Sequence, residues 1–400
     1  MQVHCAGEIH AAGGPGSFLL GRVEAFTSEL LSVYGGKVQL IYLDPPFCTG
    51  ESFSMKIGSG RNASTIRLYE DKLSGEEYVA WMHGILELCH KLLSNSGSIY
   101  LHLDYRMSAK MRMIMDEIFG EKNFMNEIIW TYKSGGRSKK YYPRKHDTLL
   151  FYRKSASVYF DIHAVGFPRG PMRRNHMKRF IDEDGRIGFS IRSNGKLYKY
   201  YEDSLIYPSD VWNDIEHLQQ KDRERNGYAT QKPEALLRRI IGASSKEGDL
   251  VMDLFSGSGT SAAVAVKMKR RFCAVDCSPV AMFMLRKRLL EITGTVDLFD
   301  QTHSELELLY SSEELPACSV DYRIINNGSE KILLLNSAAF DGSSFPVVYA
   351  ATGILMHDSF ITQNTNCSPK LPLKLPIPPG SDPVLQIQNA AGKQAFFLIN

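Results

Sequence analysis

A short glycine-containing motif follows a predicted strand in the second half of the chain. The run Asp253-Leu254-Phe255-Ser256-Gly257-Ser258-Gly259-Thr260 lies at the end of an apolar segment and opens a helix. Glycines at such a turn let a ligand approach the backbone, and the helix N-terminus offers free N–H groups. About twenty residues on, a second strand ends in Asp276, whose carboxylate can accept both hydroxyls of a ribose. This combination favours a nucleoside cofactor over a structural turn, and without a following Gly-Lys-Ser/Thr it is not a Walker A loop.

A second pattern with chemical potential is Asp44-Pro45-Pro46-Phe47, which directly follows the apolar run Lys37–Leu43. The prolines fix the backbone, and α/β proteins bind ligands at the carboxyl ends of their strands. The Asp44 carboxylate and the Pro45 carbonyl can both accept hydrogen bonds from one exocyclic NH2 group while the Phe47 ring stacks on the heterocycle. The pattern therefore suits attack by the amino group of a base, whose conjugated lone pair is poorly nucleophilic. The alternative is a plain Asp-Pro turn.

The composition is that of an ordinary globular chain. Its 400 residues are 44% hydrophobic and 23% charged, which excludes a disordered tail, a collagen-like fibre and a coiled coil. No run approaches the roughly 18 apolar residues of a membrane span, and the N-terminus lacks the features of a secretory signal. Seven unpatterned cysteines fit a reducing compartment. We expect a cytoplasmic protein with no metal site.

Charge is distributed unevenly along the chain. Residues 131–200 contain 17 Lys and Arg against 5 Asp and Glu, whereas residues 301–400 contain 5 against 9. One strongly basic segment in a chain of net charge +3 indicates a local face for a polyanion such as nucleic acid. The alternative is a solvated loop region without a ligand.

Hydrophobic periodicity predicts the elements that position these motifs. Short apolar strands alternate with amphipathic helices before residue 130 and again after Pro233, which is typical of a doubly wound parallel sheet. The sheet is predicted to come from two separated segments with the basic region inserted between them. After Thr293, short β-type runs and many prolines indicate a small β-rich C-terminal module. The predicted elements are strands Lys37–Leu43, Ser98–Leu103, Leu250–Leu254 and Phe272–Val275, and helices Gly75–Leu93, Thr260–Met268 and Pro279–Leu290, with Asn95–Gly97 as a helix stop.

The order of these motifs resembles the β group of DNA amino-methyltransferases, which includes the modification subunits of restriction systems. In that group an Asp-Pro-Pro-aromatic motif comes first, then a basic insertion, then the glycine loop. Further matching stretches are Tyr69-Glu70-Asp71, Glu77 to Met82, His102-Leu103-Asp104, Asp116 to Gly120, His146-Asp147-Thr148 and Gly227 to Glu234. The resemblance covers roughly Leu20 to Leu290. It implies an S-adenosylmethionine-dependent, Rossmann-like α/β fold.

The resemblance also implies a role for each matching position. Asp44, Pro45, Pro46 and Phe47 would be catalytic and would hold a flipped base. The cofactor S-adenosylmethionine would be bound by Asp253, Phe255, Ser256, Gly257, Gly259, Thr260 and Asp276, with Thr230, Gln231 and Lys232 closing the site. Duplex DNA would be contacted by Lys133, Arg137, Lys139, Lys140, Arg144, Lys145, Arg173 and Arg174. No metal is implied.

The expected activity is methyl transfer to adenine N6 in duplex DNA, because Asp in the first motif is associated with adenine in this family. Cytosine N4 is the close alternative, and a non-catalytic DNA-binding subunit is a second one. We expect the methyltransferase domain in two halves, 17–130 and 229–295, a target-recognition region at 131–228 and the C-terminal module at 300–400. Nucleoid association, a restriction endonuclease partner and a homodimer are consistent with the family. One departure from the family pattern is Arg22, because the family usually has an acidic residue after the glycine near Gly21.

Overall fold

The computed structural model describes residues 2–5, 16–47, 50, 52–57, 64–70, 75–133, 138–171, 176–219, 221–228, 230–293, 306–309, 318–327, 330–340, 347–356, 359–367, 373–377, 383–389 and 394–398. Up to residue 293 the elements are β1 (Gln2–Cys5), β2 (Gly16–Leu20), α1 (Thr27–Tyr34), β3 (Val38–Leu43), β4 (Ser52–Ile57), β5 (Ser64–Glu70), α2 (Gly75–Leu92), β6 (Leu93–Leu103), α3 (Ser108–Phe119), β7 (Phe124–Thr131), β8 (His146–Arg153), β9 (Phe167–Pro168), β10 (Lys178–Ile181), β11 (Ile187–Ser193), β12 (Lys196–Tyr201), β13 (Leu205–Ile206), β14 (Val211–Trp212), α4 (Glu234–Ser244), β15 (Leu250–Asp253), α5 (Thr260–Lys267), β16 (Arg271–Asp276) and α6 (Pro279–Thr293). Beyond them lie β17 (Leu306–Leu309), β18 (Cys318–Asn327), β19 (Glu330–Phe340), β20 (Val347–Met356), β21 (Ser359–Cys367), β22 (Leu373–Pro376), β23 (Pro383–Asn389) and β24 (Gln394–Leu398).

A nine-stranded sheet organises the first three quarters of the chain. Its order is β1-β2-β16-β15-β3-β6-β8-β7-β14. The neighbours from β1 to β6 pair in parallel, and β8 is antiparallel to both β6 and β7. The connections from β2 to β3, from β3 to β6 and from β15 to β16 each contain a helix, as a parallel crossover requires. The predicted doubly wound, Rossmann-like sheet assembled from two separated segments is confirmed.

Two hydrophobic cores cover the two faces of this sheet. Because successive side chains of a strand point to opposite faces, Leu40 and Tyr42 of β3 join one core and Ile41 and Leu43 join the other. The first core is closed by α4, α5 and α6, and the second by α1, α2 and α3. All six side chains of β3 are buried. This central strand therefore holds the segment that follows it, beginning at Asp44, in a fixed place.

The strand order reverses direction between β15 and β3. From β15 the chain passes through α5 to β16 on one side, and from β3 it passes through α2 to β6 on the other. The register pairs Val251 with Leu40 and Met252 with Ile41, so Asp253 and Asp44 both come at the carboxyl edge. Ligands of open α/β sheets bind in the crevice at such a switch point.

The basic segment 131–228 is divided between this sheet and smaller ones. Strands β8 and β14 belong to the main sheet, whereas β10-β11-β12 and β13-β9 form two small antiparallel sheets. Helix α2 ends at Leu92, before the expected stop at Asn95–Gly97. The following strand begins earlier than the predicted Ser98: Asn95–Gly97 is part of β6, since Leu93 already pairs with Val38.

After residue 300, every described element is a strand. They form a five-stranded sheet, β17-β21-β20-β23-β24, and a three-stranded sheet, β18-β19-β22, with antiparallel pairing throughout. The expected β-rich character of this module is confirmed. No helix in the described part of the chain is both long and apolar enough to cross a membrane.

Candidate functional site at the switch point

The glycine loop is held by Asp253, the last residue of β15. Its carboxylate accepts hydrogen bonds from the Phe255 backbone N–H, at 3.0 Å, and from the Ser261 hydroxyl at the start of α5. Gly259 precedes α5 with a φ of +73°, a left-handed conformation that favours glycine. A Cβ atom there would lie 2.8 Å from Leu285, so α6 packs directly on the loop. The loop is therefore fixed both electrostatically and sterically.

Asp276, the last residue of β16, lies beside the same loop. Its two oxygens accept hydrogen bonds from the backbone N–H groups of Gly257 and Ser278, each at 2.8 Å. Each carboxylate oxygen has two lone pairs, so acceptor capacity remains for two further donors. This arrangement can accept hydrogen bonds from two adjacent hydroxyl groups.

A cavity of about 620 Å³, the larger cavity, opens between the two strand ends. Of the predicted cofactor residues it is lined by Asp253, Phe255, Ser256, Gly257, Thr260, Asp276, Thr230 and Lys232, and not by Gly259 or Gln231. The Gln231 side chain instead ties the preceding loop together: it accepts from the Asn226 N–H at 2.9 Å and donates to the Glu224 carbonyl at 2.8 Å. Gly259 acts through the shape of the turn.

Burial disfavours the charged form of both strand-end carboxyls. It raises the pKa of Asp276 to about 6, against the lowering effect of the Ser278 and Gly257 N–H groups. It raises the pKa of Asp253 to about 7; the hydrogen bonds from Ser261 and Phe255 oppose this, while the charges of Asp44 and Asp276 add to it. A cationic or hydroxyl-bearing ligand would relieve this penalty.

The lining of the larger cavity also includes residues that were not predicted as site residues, among them Arg22, Glu24 and Trp81. The Trp81 indole donates to the Glu24 carboxylate and meets Phe255 edge-on, with ring centroids 5.4 Å apart. An acidic side chain is thus present near Gly21, two residues later than the position taken by Arg22. The stretch Glu77 to Met82, which matched the family pattern, was the available signal for Trp81.

The first motif lies where two cavities meet. Asp44 and Pro46 line the larger cavity, whereas Phe47 lines a second one of about 320 Å³, the smaller cavity; Pro45 lines neither. The remaining lining residues of the smaller cavity are Asp104, Tyr105, Tyr132, Arg144, His146, Asp147, His217, Thr230, Gln231 and Lys232. Thr230 and Lys232 line both cavities. A ligand in each cavity would therefore meet the other at Asp44 and Lys232.

The Asp44 carboxylate has one partnered and one unpartnered oxygen. Oδ2 lies 2.5 Å from the Lys232 ammonium nitrogen, and Oδ1 is buried with no hydrogen-bond partner among the described residues. A buried acceptor left unsatisfied is costly. Oδ1 is therefore a strong candidate acceptor for an incoming N–H group.

A row of hydrogen-bonded side chains lies beside Phe47. The His102 ring is fully buried. Its Nδ1 lies 2.8 Å from the Tyr42 hydroxyl oxygen, and its Nε2 lies 3.2 Å from an Asp147 carboxylate oxygen. The Tyr132 hydroxyl donates a hydrogen bond to the other Asp147 oxygen at 3.1 Å. The Phe47 and His102 ring centroids are 6.2 Å apart. Burial alone would raise the pKa of Asp147, but His102 and the Lys232 charge lower it below its usual range. This row of side chains runs from Tyr42, which lines the larger cavity, to Asp147 and Tyr132, which line the smaller one.

The predicted DNA-contacting residues fall into three groups. Lys139, Lys140 and Arg144 are exposed, and the Arg144 guanidinium stacks 3.9 Å over Tyr105 at the rim of the smaller cavity. Lys133 pairs with Glu216 at 2.5 Å, and Lys145 donates to the Lys133 carbonyl at 3.2 Å. Arg137, Arg173 and Arg174 lie outside the described residues. Within the described ranges, no group of three or more His, Cys, Asp or Glu side chains is arranged to hold a metal ion.

The chain is similar in sequence to known DNA methyltransferases. A family model described as DNA methylase, of the N6/N4 methyltransferase type, matches residues 38–284. The chain is 28% identical over 332 residues to the type II methyltransferase M.EcaI of Enterobacter cloacae, covering 72% of this chain and 71% of the relative. It is 29% identical over 266 residues to the DNA adenine methyltransferase YhdJ of Escherichia coli K12, covering 66% and 79%. The solved structure of PvuII DNA methyltransferase (cytosine-N4-specific) superposes with a TM-score of 0.45 and 15% identity, covering 72% and 88%.

Proposed function

The chain belongs to the N6/N4 DNA methyltransferase family of restriction-modification systems, and on that premise we propose that it methylates the N6 amino group of adenine at specific sites in duplex DNA. It is a DNA methyltransferase, and S-adenosylmethionine is its cofactor. The observation that carries the proposal is the place of Asp44, between a cavity suited to a nucleoside cofactor and a second cavity walled by Phe47.

The larger cavity fits the cofactor in size and in chemistry. Its volume of about 620 Å³ is within the range of small-molecule sites. Asp276 offers acceptors for the ribose hydroxyls, and the buried Ser256 hydroxyl has no partner among the described residues, so it is available to a polar ligand. A Cβ on Gly257 would lie 3.3 Å from the Tyr228 ring, so glycine keeps this wall open. When bound, S-adenosylmethionine supplies an electrophilic methyl group on a sulfonium sulfur.

Asp44 and Pro45 would act on the nucleophile. An exocyclic amine donates one N–H to the unpartnered Asp44 Oδ1 and the other to the Pro45 carbonyl, while its ring stacks on Phe47. These acceptors keep the amine oriented and stabilise the positive charge that develops on its nitrogen as it bonds to the methyl carbon. The methyl–sulfur bond would break as the nitrogen–carbon bond forms, leaving a neutral thioether. The extra proton of the methylated amine would pass to the Asp44 carboxylate or to solvent, so that the methylated base is neutral.

Adenine is proposed as the target base because the first motif carries Asp44 and because YhdJ, at 29% identity, is a DNA adenine methyltransferase. Cytosine N4 is the alternative, since the same acceptors suit any exocyclic amine. A base inside a duplex cannot reach Asp44, so we propose that it is flipped into the smaller cavity. Flipping costs a few kcal/mol of stacking, which contacts from Lys139, Lys140 and Arg144 to DNA would offset.

The division of labour along the chain is also a proposal. Segments 17–130 and 229–295 would carry catalysis and cofactor binding, and the parts of 131–228 outside the main sheet would read the target sequence. For residues 300–400, a role in binding a partner or a second copy is favoured over DNA contact by their net negative charge. We further propose a restriction endonuclease partner, a homodimer and association with the nucleoid, which are family expectations only.

The test is to incubate the protein with labelled S-adenosylmethionine and unmethylated duplex DNA, digest the DNA and identify the modified nucleoside by mass spectrometry. N6-methyladenine is expected. N4-methylcytosine would retain the mechanism and overturn the target base. Cofactor binding without any methylated nucleoside would favour a non-catalytic subunit.

A further inference from the structure

The ion pair between Lys232 and Asp44 joins two residues 188 positions apart in the chain. The two side chains are only 11% and 15% exposed, and their charged atoms are 2.5 Å apart. An ionised carboxylate buried to this degree is costly unless it is paired. In the absence of DNA, Lys232 therefore supplies the charge and the N–H donor that Asp44 requires.

The Lys232 ammonium occupies the place where the reacting groups would meet. Lys232 lines both the larger and the smaller cavity, and its nitrogen lies 5.3 Å from the centre of the Phe47 ring. The target amine, under the proposed function, must satisfy the same conditions: contact with Asp44, proximity to Phe47 and access to the larger cavity. The ammonium and the amine would compete for one small space.

We propose that the Lys232 ammonium is a stand-in for the target amine in the DNA-free enzyme, and that it leaves Asp44 when the flipped base enters. The inference rests on the proposed function. Its chemical reason is charge: the amine nitrogen becomes positive as it bonds to the methyl carbon, and a cation retained on Asp44 would oppose that charge. A protonated lysine has no lone pair, so it can hold the site without accepting the methyl group itself.

The surrounding bonds allow the side chain to move while the backbone stays fixed. The Lys232 carbonyl accepts a hydrogen bond from the Thr260 hydroxyl at 3.2 Å, and the neighbouring Gln231 side chain is bonded to Glu224 and Asn226. The lysine stem has four carbons and flexible torsions. Displacement therefore requires only a rotamer change, with no rearrangement of the loop.

A first experiment measures cofactor binding without DNA and without turnover. Isothermal calorimetry would compare S-adenosylmethionine, which carries a sulfonium cation, with S-adenosylhomocysteine, which does not, for wild type, Lys232→Met and Lys232→Arg. Lys232→Met removes a cation beside the larger cavity. The ratio of S-adenosylmethionine affinity to S-adenosylhomocysteine affinity should therefore be about tenfold higher in this variant than in wild type. Lys232→Arg keeps the charge and should keep the wild-type ratio. Equal ratios in all three proteins would show that the ammonium does not stand near the reacting end of the cofactor.

A second experiment measures entry of the base. A duplex carrying the site mapped from wild-type methylation would have 2-aminopurine next to the target adenine, where its fluorescence rises when the adenine flips out, and this fluorescence would be read with S-adenosylhomocysteine bound. Lys232→Met should raise the signal severalfold because the stand-in is gone and Asp44 lacks a donor. The exposed Lys91→Met is the matched control and should match wild type. An unchanged or lower signal in Lys232→Met would overturn the inference.

The two proposals fail in different ways. If the wild-type chain methylates no DNA, the proposed function is refuted, while the calorimetric ratio still reports whether the ammonium stands at the junction. If the wild type methylates DNA and the Lys232→Met signals do not move, the proposed function stands and the role of Lys232 is refuted. Thermal unfolding of each variant separates both results from misfolding.

Discussion

Cofactor affinity should decrease as the pH falls through the titration of Asp276. Burial raises its pKa from 3.8 to about 6 in the ligand-free protein. The ribose hydroxyls donate hydrogen bonds, which only the ionised carboxylate accepts with both oxygens. If Asp276 holds the ribose as proposed, the cofactor is expected to bind the ionised form, and protonation of Asp276 should compete with binding.

The magnitude follows from that pKa. With a pKa of about 6, protonation is negligible at pH 7.5 and occupies roughly nine-tenths of the protein at pH 5, which weakens cofactor binding by about tenfold. The pH dependence of folding stability has the opposite direction to that of a salt-bridged carboxylate. Because the folded chain holds this proton more tightly than the unfolded chain, the free energy of unfolding decreases as the pH rises from 3.8 towards 6, by about 3 kcal/mol in total.

Calorimetric titration with S-adenosylhomocysteine between pH 5 and pH 7 measures the first effect. Asp276→Asn should bind more weakly at pH 7 by about ten- to a hundredfold, since hydrogen bonds to a charged group are lost. It should also lose the Asp276 share of the pH dependence and leave the share of Asp253, whose pKa is about 7. The exposed Glu247→Gln is the matched control and should reproduce the wild-type curve. An Asp276→Asn variant that keeps the full wild-type pH dependence would refute the assignment of Asp276.

Two further predictions concern the glycine loop and the basic face. Gly259→Ala should lower the free energy of unfolding by about 2–4 kcal/mol, because the φ of +73° disfavours a side chain and the Cβ would lie 2.8 Å from Leu285. The control is Gly248→Ala, where φ is +83° but the space around the glycine is open, and it should lower the free energy of unfolding by about 1–2 kcal/mol. Equal losses for the two variants in urea denaturation would contradict the packing argument. Lys139→Ala and Lys140→Ala should each reduce the slope of log K against log salt concentration for duplex DNA by about one if each contacts a phosphate; unchanged slopes in a fluorescence anisotropy titration would place DNA elsewhere.

The position of each motif at the carboxyl edge of the sheet could be predicted because it follows from a local rule. Asp44 and Asp253 each come directly after a short apolar run, and the carboxyl ends of parallel strands share one edge of a sheet. The glycine loop has a local signature as well, since Gly259 needs a left-handed backbone before a helix. These features depend on neighbouring residues only.

Features that depend on distant residues were not predictable in the same way. The Lys232–Asp44 pair and the contact of Trp81 with Phe255 join parts of the chain whose proximity depends on strand order. The smaller cavity is built from His217 and Asp147, which periodicity does not relate to each other. Strand pairing also outweighed local propensity at Asn95–Gly97. These residues were predicted to end the helix, and hydrogen bonding across the sheet makes them part of strand β6.

The central claim is that Asp44 acts on the amine that receives the methyl group. The most direct test compares wild type with Asp44→Ala for methyl transfer to duplex DNA, S-adenosylhomocysteine affinity and DNA affinity. The variant should lose methyl transfer by at least about a hundredfold, as removal of a key charge-stabilising group does, while it still binds the cofactor product and DNA. Methyl transfer by Asp44→Ala at a rate near that of wild type would contradict the account.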